Sequence, residues 1–291
     1  MLELLKRGII VRKDFKFDRL NFVTAGMPLR TGKGGYPEAF DIIKDMDIDG
    51  MELEFVHGVR MNPETKEKVR TIVKERNLII TAHAPFYINL NSQEEEKVDA
   101  SVQRIIETAV TTFDVGGFSI TFHAAFYMGK DKETVYNQVK TQIEKINSAL
   151  EKDNIDIWIR PETTGKATQW GDIDEIVRLS KEFDNVLPCI DFSHIHARTA
   201  GEYNTYDEFC EILEKLGTIG NKAIENFHGH IAGIDYGAKG EKKHLNLEES
   251  DMNYKDLLKA MKTFGIKGSL VCESPNIEDD TVLMKSYYMS L

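Results

Sequence analysis

Short apolar runs alternate along the chain with longer amphipathic stretches. Most runs are rich in β-branched or aromatic residues, which predicts strands. They cover residues 21–25, 50–55, 78–82, 118–122, 155–159, 186–190, 227–233 and 269–272. The amphipathic stretches predict helices, among them residues 94–115, 132–150, 173–183 and 206–216. Two helix start signals support this pattern, Asn62 followed by Pro63, and Ser92 ahead of an acidic run.

Strands that alternate with helices in this way predict an α/β TIM barrel of eight parallel strands ringed by helices. The alternative is an open doubly wound sheet. No Gly-x-Gly-x-x-Gly motif follows the first strand, and the chain has no Walker loop. Because no linker or charge block marks a boundary, we expect one barrel domain over residues 1–291, with residues 1–20 as an N-terminal extension.

Charge and composition exclude several classes of protein. The 37 Lys and Arg residues against 48 Asp and Glu residues give a net charge of −11, which excludes a globally basic nucleic-acid coat but leaves a local basic face open. No apolar run is long enough to span a bilayer. Cys189, Cys210 and Cys272 form neither a disulfide framework nor a zinc ribbon pattern, which predicts a reduced, cytoplasmic protein.

Side chains that can bind metal fall at or near the ends of the predicted strands. They are His83, His123, Glu162, Asp191, His194, His230, His244 and Glu273. In a barrel these strand ends meet at one rim, where barrel active sites lie. A single histidine there is more often a packed polar residue than a ligand, and a single carboxylate is equally often a helix cap or a salt-bridge partner. Such groups after consecutive strands are costly to bury unless they are paired or bound to cations, so we interpret them as metal ligands.

The mixture of imidazole and carboxylate favours zinc, manganese, iron or cobalt over magnesium or calcium. There are more candidate ligands than one four-coordinate ion with an open position can use. Glu162 can bridge two ions, since a carboxylate has two oxygens. Two ions about 3.5–4 Å apart are the arrangement that supports in-line displacement at phosphate.

The ordered motifs AHAPFYINLN, TFHAAF, RPETTG, CIDFSH, HIAGID, KKHLNL and CESPN resemble endonuclease IV, a family of AP endonucleases with a xylose-isomerase-like barrel. The resemblance runs from about Asn21 to the end of the chain. It implies a zinc-dependent endonuclease that cleaves double-stranded DNA 5′ to abasic sites in base excision repair. It also implies two to three Zn²⁺ ions, with Mn²⁺ as an alternative, and catalytic roles for Glu162 and Glu273.

The family motifs also assign ligands to the ions. The first zinc takes His83, His123 and Glu162, the second takes Glu162, Asp191, His230 and Glu273, and the third takes His194 and His244. The family's aspartate two residues before the last histidine is Lys242 in this chain, and the opening strand VTAGMPL lacks the family's usual histidine. We expect Glu241 to supply the missing carboxylate and Lys242 to face the phosphate backbone.

The resemblance implies contacts with the abasic duplex by Phe86 and Tyr87 as wedges and by Arg60, in a protein that we expect to be a monomer. The alternative is a sugar isomerase or epimerase of the same superfamily, with one metal held by Glu162, Asp191, His230 and Glu273. That interpretation leaves His83, His123, His194 and His244 without a role. A third interpretation is a non-catalytic barrel that binds metal for structure or acts as a scaffold.

Overall fold

Eight parallel strands form one sheet in the computed structural model, which describes residues 16–291. Numbered in chain order, they are β1 (Leu20–Ala25), β2 (Gly50–Glu54), β3 (Ile79–His83), β4 (Ser119–Phe122), β6 (Trp158–Pro161), β8 (Ile190–Asp191), β9 (Phe227–Ile231) and β12 (Gly268–Cys272). The order across the sheet is β6-β4-β3-β2-β1-β12-β9-β8. An isolated parallel bridge joins Ile159 to Val186. A second joins Glu162 to Cys189, and together they connect β6 to the segment that leads into β8. The predicted TIM barrel is therefore confirmed.

Helices follow the strands. They are α1 (Tyr36–Asp45), α2 (Pro63–Arg76), α3 (Glu95–Asp114), α4 (Lys132–Lys152), α5 (Ile173–Glu182), α6 (Phe192–Arg198), α7 (Tyr206–Gly217), α8 (Asn221–Glu225), α9 (Tyr254–Thr263) and α10 (Glu278–Ser290). Asn62 caps α2 as predicted, because its side chain accepts a hydrogen bond from the N–H of Thr65 at 2.8 Å. Ser92 does not cap α3, which begins at Glu95 with Glu94 as its N-cap residue.

Two antiparallel hairpins lie outside the barrel sheet. The first pairs β5 (Ala125–Phe126) with β7 (Gln169–Trp170), and the second pairs β10 (Gly233–Gly237) with β11 (Gly240–Leu245). The strand predicted over residues 227–233 thus divides into β9 and the start of β10. The β10–β11 hairpin stands on the carboxyl side of β9, and it places the segment around His244 at the rim.

Two predicted strands differ from the observed ones. The strand predicted over residues 155–159 is β6, which begins at Trp158 and pairs with β4 from Ser119. β6 continues through Arg160, past the end of the predicted strand. The prediction ended at Ile159 because a charged arginine is unusual in a buried strand. The strand predicted over residues 186–190 is reduced to Ile190–Asp191, because Pro188 has no N–H to donate to a ladder.

Polar side chains occupy much of the barrel interior. Glu52, Thr81 and Ser119 are register neighbours on β2, β3 and β4, and all three are fully buried. The buried guanidinium of Arg160 donates hydrogen bonds to Oγ of Ser119 at 2.6 Å and to the carbonyls of Pro188 and Asn226 at 3.0 and 2.8 Å. Burial lowers the pKa of Arg160 to about 9. This acceptor set satisfies a charge that no carboxylate neutralises directly.

The N-terminal extension predicted for residues 1–20 lies mostly outside the described residues. Within them, Phe17 is buried and its ring centroid lies 4.9 Å from that of Phe118. In residues 16–291 no helix is both long and apolar enough to cross a membrane. Cys189, Cys210 and Cys272 are free thiols.

Candidate metal centre

The candidate ligands gather at the carboxyl ends of the barrel strands. His83 ends β3, His123 follows β4, Glu162 follows β6 and Asp191 ends β8. His230 lies in β9, Glu273 follows β12, His194 lies in α6, and Glu241 and His244 lie in β11. The ligand atoms fall into three groups in which every atom lies within 4.8 Å of the others in its group.

The first group surrounds the buried carboxylate of Glu162. Nε2 of His83 lies 3.1 Å from Oε2 of Glu162, and Nε2 of His123 lies 3.2 Å from Oε1. Each oxygen therefore faces a different imidazole. This geometry provides two nitrogens and one oxygen for a single ion.

The second group shares Glu162 with the first and adds Asp191, His230 and Glu273. Nδ1 of His230 lies 3.2 Å from Oε1 of Glu273 and 3.6 Å from Oε1 of Glu162. Asp191 and His230 are fully buried, whereas the side chain of Glu273 retains 13% exposure. Because Glu162 belongs to both groups, its carboxylate is placed to bridge two ions.

The third group consists of His194, Glu241 and His244. Nε2 of His194 lies 3.7 Å from Oε2 of Glu241, and Nε2 of His244 lies 4.0 Å from Oε1. The other ring nitrogen of His194, Nδ1, lies 3.1 Å from Oε1 of Glu162. The imidazole of His194 thus stands between the third group and the other two.

A β-bulge explains how Glu241 and His244 reach the same group. In a regular strand, residues three apart point to opposite faces. Here the pairing shifts between Asp235, which pairs with Lys243, and Tyr236, which pairs with Glu241, so that Lys242 is the extra residue. The shift brings the side chains of Glu241 and His244 to one face. Lys242 points outward, and its Nζ lies 3.1 Å from Oδ1 of Asp235.

Two glycines allow the hairpin to approach the third group. A Cβ on Gly240, where φ is +91°, would lie 2.2 Å from the carbonyl oxygen of Gly165. A Cβ on Gly165 would lie 2.8 Å from Cβ of Glu241 and 3.1 Å from Cδ2 of His194. The N–H of Glu241 donates a hydrogen bond to the carbonyl of Gly165 at 3.0 Å. This close contact, which only glycine allows, fixes the position of Glu241 relative to the rim.

Opposite charges dominate the electrostatics of the centre. Burial lowers the pKa of His83, but the hydrogen bond to Glu162 and its charge outweigh burial and raise that pKa to about 10. For His194, burial is outweighed by Asp191 and Glu162, and the pKa is again raised to about 10. Burial raises the pKa of Asp191 to about 6. Burial also raises the pKa of Glu162, but His123 and His230 hold it well below its usual value. At neutral pH the imidazoles of His83 and His194 therefore carry a second proton, which a bound cation would replace.

The residues present fit divalent transition-metal ions. Oδ2 of Asp191 is buried and has no hydrogen-bond partner among the described residues. A bound cation would be such a partner. Imidazole nitrogens with carboxylate oxygens form the donor set that suits zinc and manganese. Glu162, Asp191 and Glu273 contribute three negative charges against four positive charges from two ions, so an occupied centre attracts phosphate.

The predicted DNA contacts lie around the same rim, Phe86, Tyr87 and Arg60 on loops and Lys242 on β11. Phe86 and Tyr87 follow β3, with 57% and 49% of their surface exposed and ring centroids 4.0 Å apart. The hydroxyl of Tyr87 lies 3.3 Å from Nδ1 of His57. Arg60, in the loop after β2, is exposed and makes no hydrogen bond or ion pair within residues 16–291 to the other candidates. Lys242 is exposed and contacts Asp235, away from the three groups.

Sequence reasoning missed two carboxylates on β2. Glu52 is fully buried, and Glu54 contributes a carboxylate oxygen to a group with Glu52 and Glu273. Burial raises the pKa of Glu54 to about 8. The available signal was the run GMELEF, where two acids at alternate positions of an apolar strand share one face. An acid buried at such a position needs a partner.

The chain resembles known proteins over most of its length. A family model described as a xylose isomerase-like TIM barrel matches residues 40–286. An uncharacterized protein of Methanocaldococcus jannaschii is 45% identical over 273 residues, which cover 94% of this chain and 98% of that protein. A probable endonuclease 4 of Malacoplasma penetrans is 26% identical over 192 residues, 60% of this chain and 65% of that protein.

Solved structures share the fold at low sequence identity. Endonuclease IV from Thermus thermophilus has a TM-score of 0.69 and 15% identity, and the match covers 94% of this chain and 100% of that one. A D-tagatose 3-epimerase-like protein has a TM-score of 0.71 and 20% identity, and the match covers 92% and 97% of the two chains. Nuclease and sugar-epimerase structures therefore both share this barrel.

Proposed function

The chain belongs to the xylose isomerase-like TIM barrel family, and we propose that within it the protein is an AP endonuclease, a phosphodiester hydrolase that cleaves duplex DNA 5′ to abasic sites in base excision repair. The group formed by His194, Glu241 and His244 carries this proposal. A sugar enzyme with one metal ion uses one set of ligands, that of the second group. It has no need of the third group. The similarity to a probable endonuclease 4 supports the same assignment. A cytoplasmic location and a monomeric state belong to this proposal.

The proposed cofactor is zinc, in two to three ions, with manganese as the alternative. The ligand sets are His83, His123 and Glu162; Glu162, Asp191, His230 and Glu273; and His194, Glu241 and His244. When bound, such ions supply Lewis acidity at a phosphate and lower the pKa of water. Glu241 takes the place of the aspartate that the family pattern puts at position 242.

Two carboxylates of the chain carry the chemistry in this proposal. Glu162 holds the first and second ligand groups together, because its carboxylate lies 3.1 and 3.2 Å from Nε2 of His83 and His123 and 3.6 Å from Nδ1 of His230. Glu273 is the one carboxylate of the second group whose side chain is measurably exposed, at 13%, among the described residues. It is therefore the carboxylate of this group that an attacking water can reach, as a general base requires.

The loops around the centre receive the duplex. Phe86 and Tyr87 are exposed aromatic side chains. They can occupy the gap in the base stack that is left when a nucleotide is flipped out. Arg60, in the loop after β2, and Lys242, in β11, are both exposed and can contact phosphates. These local cations act against the net charge of −11, so we expect binding to weaken as salt rises.

Cleavage of a duplex with one abasic site tests the proposal. The zinc-loaded protein is expected to nick the abasic strand on the 5′ side and leave the matched intact duplex uncut, and a chelator is expected to abolish nicking. An abasic duplex left intact by protein with full metal content would refute the nuclease assignment.

A sugar isomerase or epimerase is the second candidate, and one observation favours it. Glu162, Asp191, His230 and Glu273 form a complete one-ion ligand set without the other histidines. In such an enzyme a metal polarises a ketose while carboxylates move protons. One bound ion per chain, together with interconversion of a ketose, would establish this function in place of the first.

A further inference from the structure

A row of buried polar side chains leads through the barrel interior to the metal centre. Its members are Arg160 on β6, Ser119 on β4, His228 on β9, Glu52 on β2 and His230 on β9. None of them exceeds 1% exposure. The proposed function uses only His230, so the other four have no role in it.

The contacts determine which nitrogen of His228 carries the proton. Nε2 of His228 lies 2.9 Å from Oε2 of Glu52. A carboxylate can only accept, and two buried lone pairs at this distance would repel, so Nε2 carries a proton. Nδ1 of His228 then accepts from the hydroxyl of Ser119 at 2.9 Å. That hydroxyl can donate there because its oxygen already accepts from Nε of Arg160.

The same reasoning applies to His230 on the other side of Glu52. Oε2 of Glu52 accepts a hydrogen bond from Thr81 at 2.6 Å, and Oε1 lies 2.9 Å from Nε2 of His230. A proton on that nitrogen leaves the lone pair of Nδ1 free. Nδ1 is the nitrogen that faces Glu273 and Glu162 at 3.2 and 3.6 Å.

We propose that Glu52 is a positioning residue that holds the proton of His230 on Nε2 and so presents Nδ1 as the metal-binding nitrogen. This inference rests on the metal centre of the proposed function, but it holds whether the substrate is DNA or a sugar. Metal-binding histidines commonly donate their second N–H to a carboxylate, and loss of that partner costs about 10- to 100-fold in metal affinity or activity.

Zinc titration against a competing chelator tests the role of Glu52. Glu52→Gln is expected to weaken zinc binding roughly 10- to 100-fold. Glu278→Gln is the matched control, because it also removes a buried carboxylate, one that accepts hydrogen bonds from the N–H groups of Leu29 and Arg30 and contacts none of the candidate ligands. We expect a much smaller loss there. Equal losses in the two variants, or unchanged affinity in Glu52→Gln, would overturn the proposal.

Nitrogen NMR of the histidine rings in the unmodified, zinc-loaded protein gives a readout that needs no variant. The expected spectrum shows His230 protonated on Nε2, and a proton on Nδ1 would overturn the proposal. Abasic-site cleavage is measured separately. A protein that cannot cut DNA but shows this tautomer refutes the nuclease function alone, whereas cleavage with the opposite tautomer refutes the role of Glu52 alone.

Discussion

Removal of the Glu241 carboxylate is expected to empty the third ion site while the other two remain filled. The carboxylate oxygens lie 3.7 and 4.0 Å from Nε2 of His194 and His244, so they belong to the same small space. Two unit charges about 4 Å apart interact by about 4 kcal/mol at an effective dielectric constant of about 20, which is a lower estimate for a carboxylate beside a divalent ion. The side chain of Glu241 is 20% exposed, and solvent screening reduces this to about 2–3 kcal/mol. Since about 1.4 kcal/mol is tenfold in affinity, Glu241→Ala should weaken the third ion roughly 100-fold.

Metal content per chain after dialysis measures this effect. Wild-type protein should retain three zinc ions and Glu241→Ala two. Lys242→Ala is the matched control, because the adjacent side chain contacts Asp235 and points away from the group. It should retain three ions. A wild-type stoichiometry of two that Glu241→Ala leaves unchanged would refute the assignment of Glu241 and the role of the bulge.

Three further predictions concern the rest of the site. Glu162→Gln should lose both bridged ions and cleavage together, and full metal content with full activity in that variant would make Glu162 structural only. Replacement of Phe86 and Tyr87 by Ala should weaken binding of an abasic duplex in a fluorescence titration at unchanged metal content. Normal cleavage with only a lowered melting temperature would instead make the pair a packing element. Because the pKa values of His83 and His194 are raised to about 10, both rings are protonated at neutral pH, and zinc must displace those protons. Affinity should therefore fall as pH falls from about 10. The pKa of His230 is raised as well, so calorimetry at pH 7 in buffers of different ionisation enthalpy should show at least two protons released, and no release would contradict the prediction.

The barrel was predictable because its signal repeats. Each apolar run and each amphipathic stretch is weak evidence, but their alternation over the chain is satisfied by few architectures. Once the barrel is assumed, the positions of His83, His123 and Asp191 follow, because parallel strands place their carboxyl ends at one rim. The departures occur where a residue breaks the pattern, as Arg160 does in β6 and Pro188 does before β8.

The bulge in β11 lies beyond such reasoning. Whether Glu241 or Lys242 shares a face with His244 depends on one extra residue in a hairpin, and that residue reverses the direction of every side chain before it. The sequence contains Gly240, whose backbone can adopt the turn, but this does not determine the register of the hairpin. Register is set by pairing with β10 and by contact with Gly165, which lies far away in the chain.

The carboxylates of β2 show a different limit. Glu52 was invisible to a search for ligands at strand ends, because it lies inside the barrel, below the rim where such a search looks. Its role follows only from distances to His228 and His230 that no spacing in the sequence encodes. The strand ends thus indicate which residues can act as ligands, whereas the partners that orient them are visible only in the three-dimensional contacts. The choice between nuclease and sugar enzyme must therefore be made on individual residues. Glu241 is the most informative of them, because it serves as a ligand only if an ion occupies the third group, which a one-ion sugar enzyme does not use.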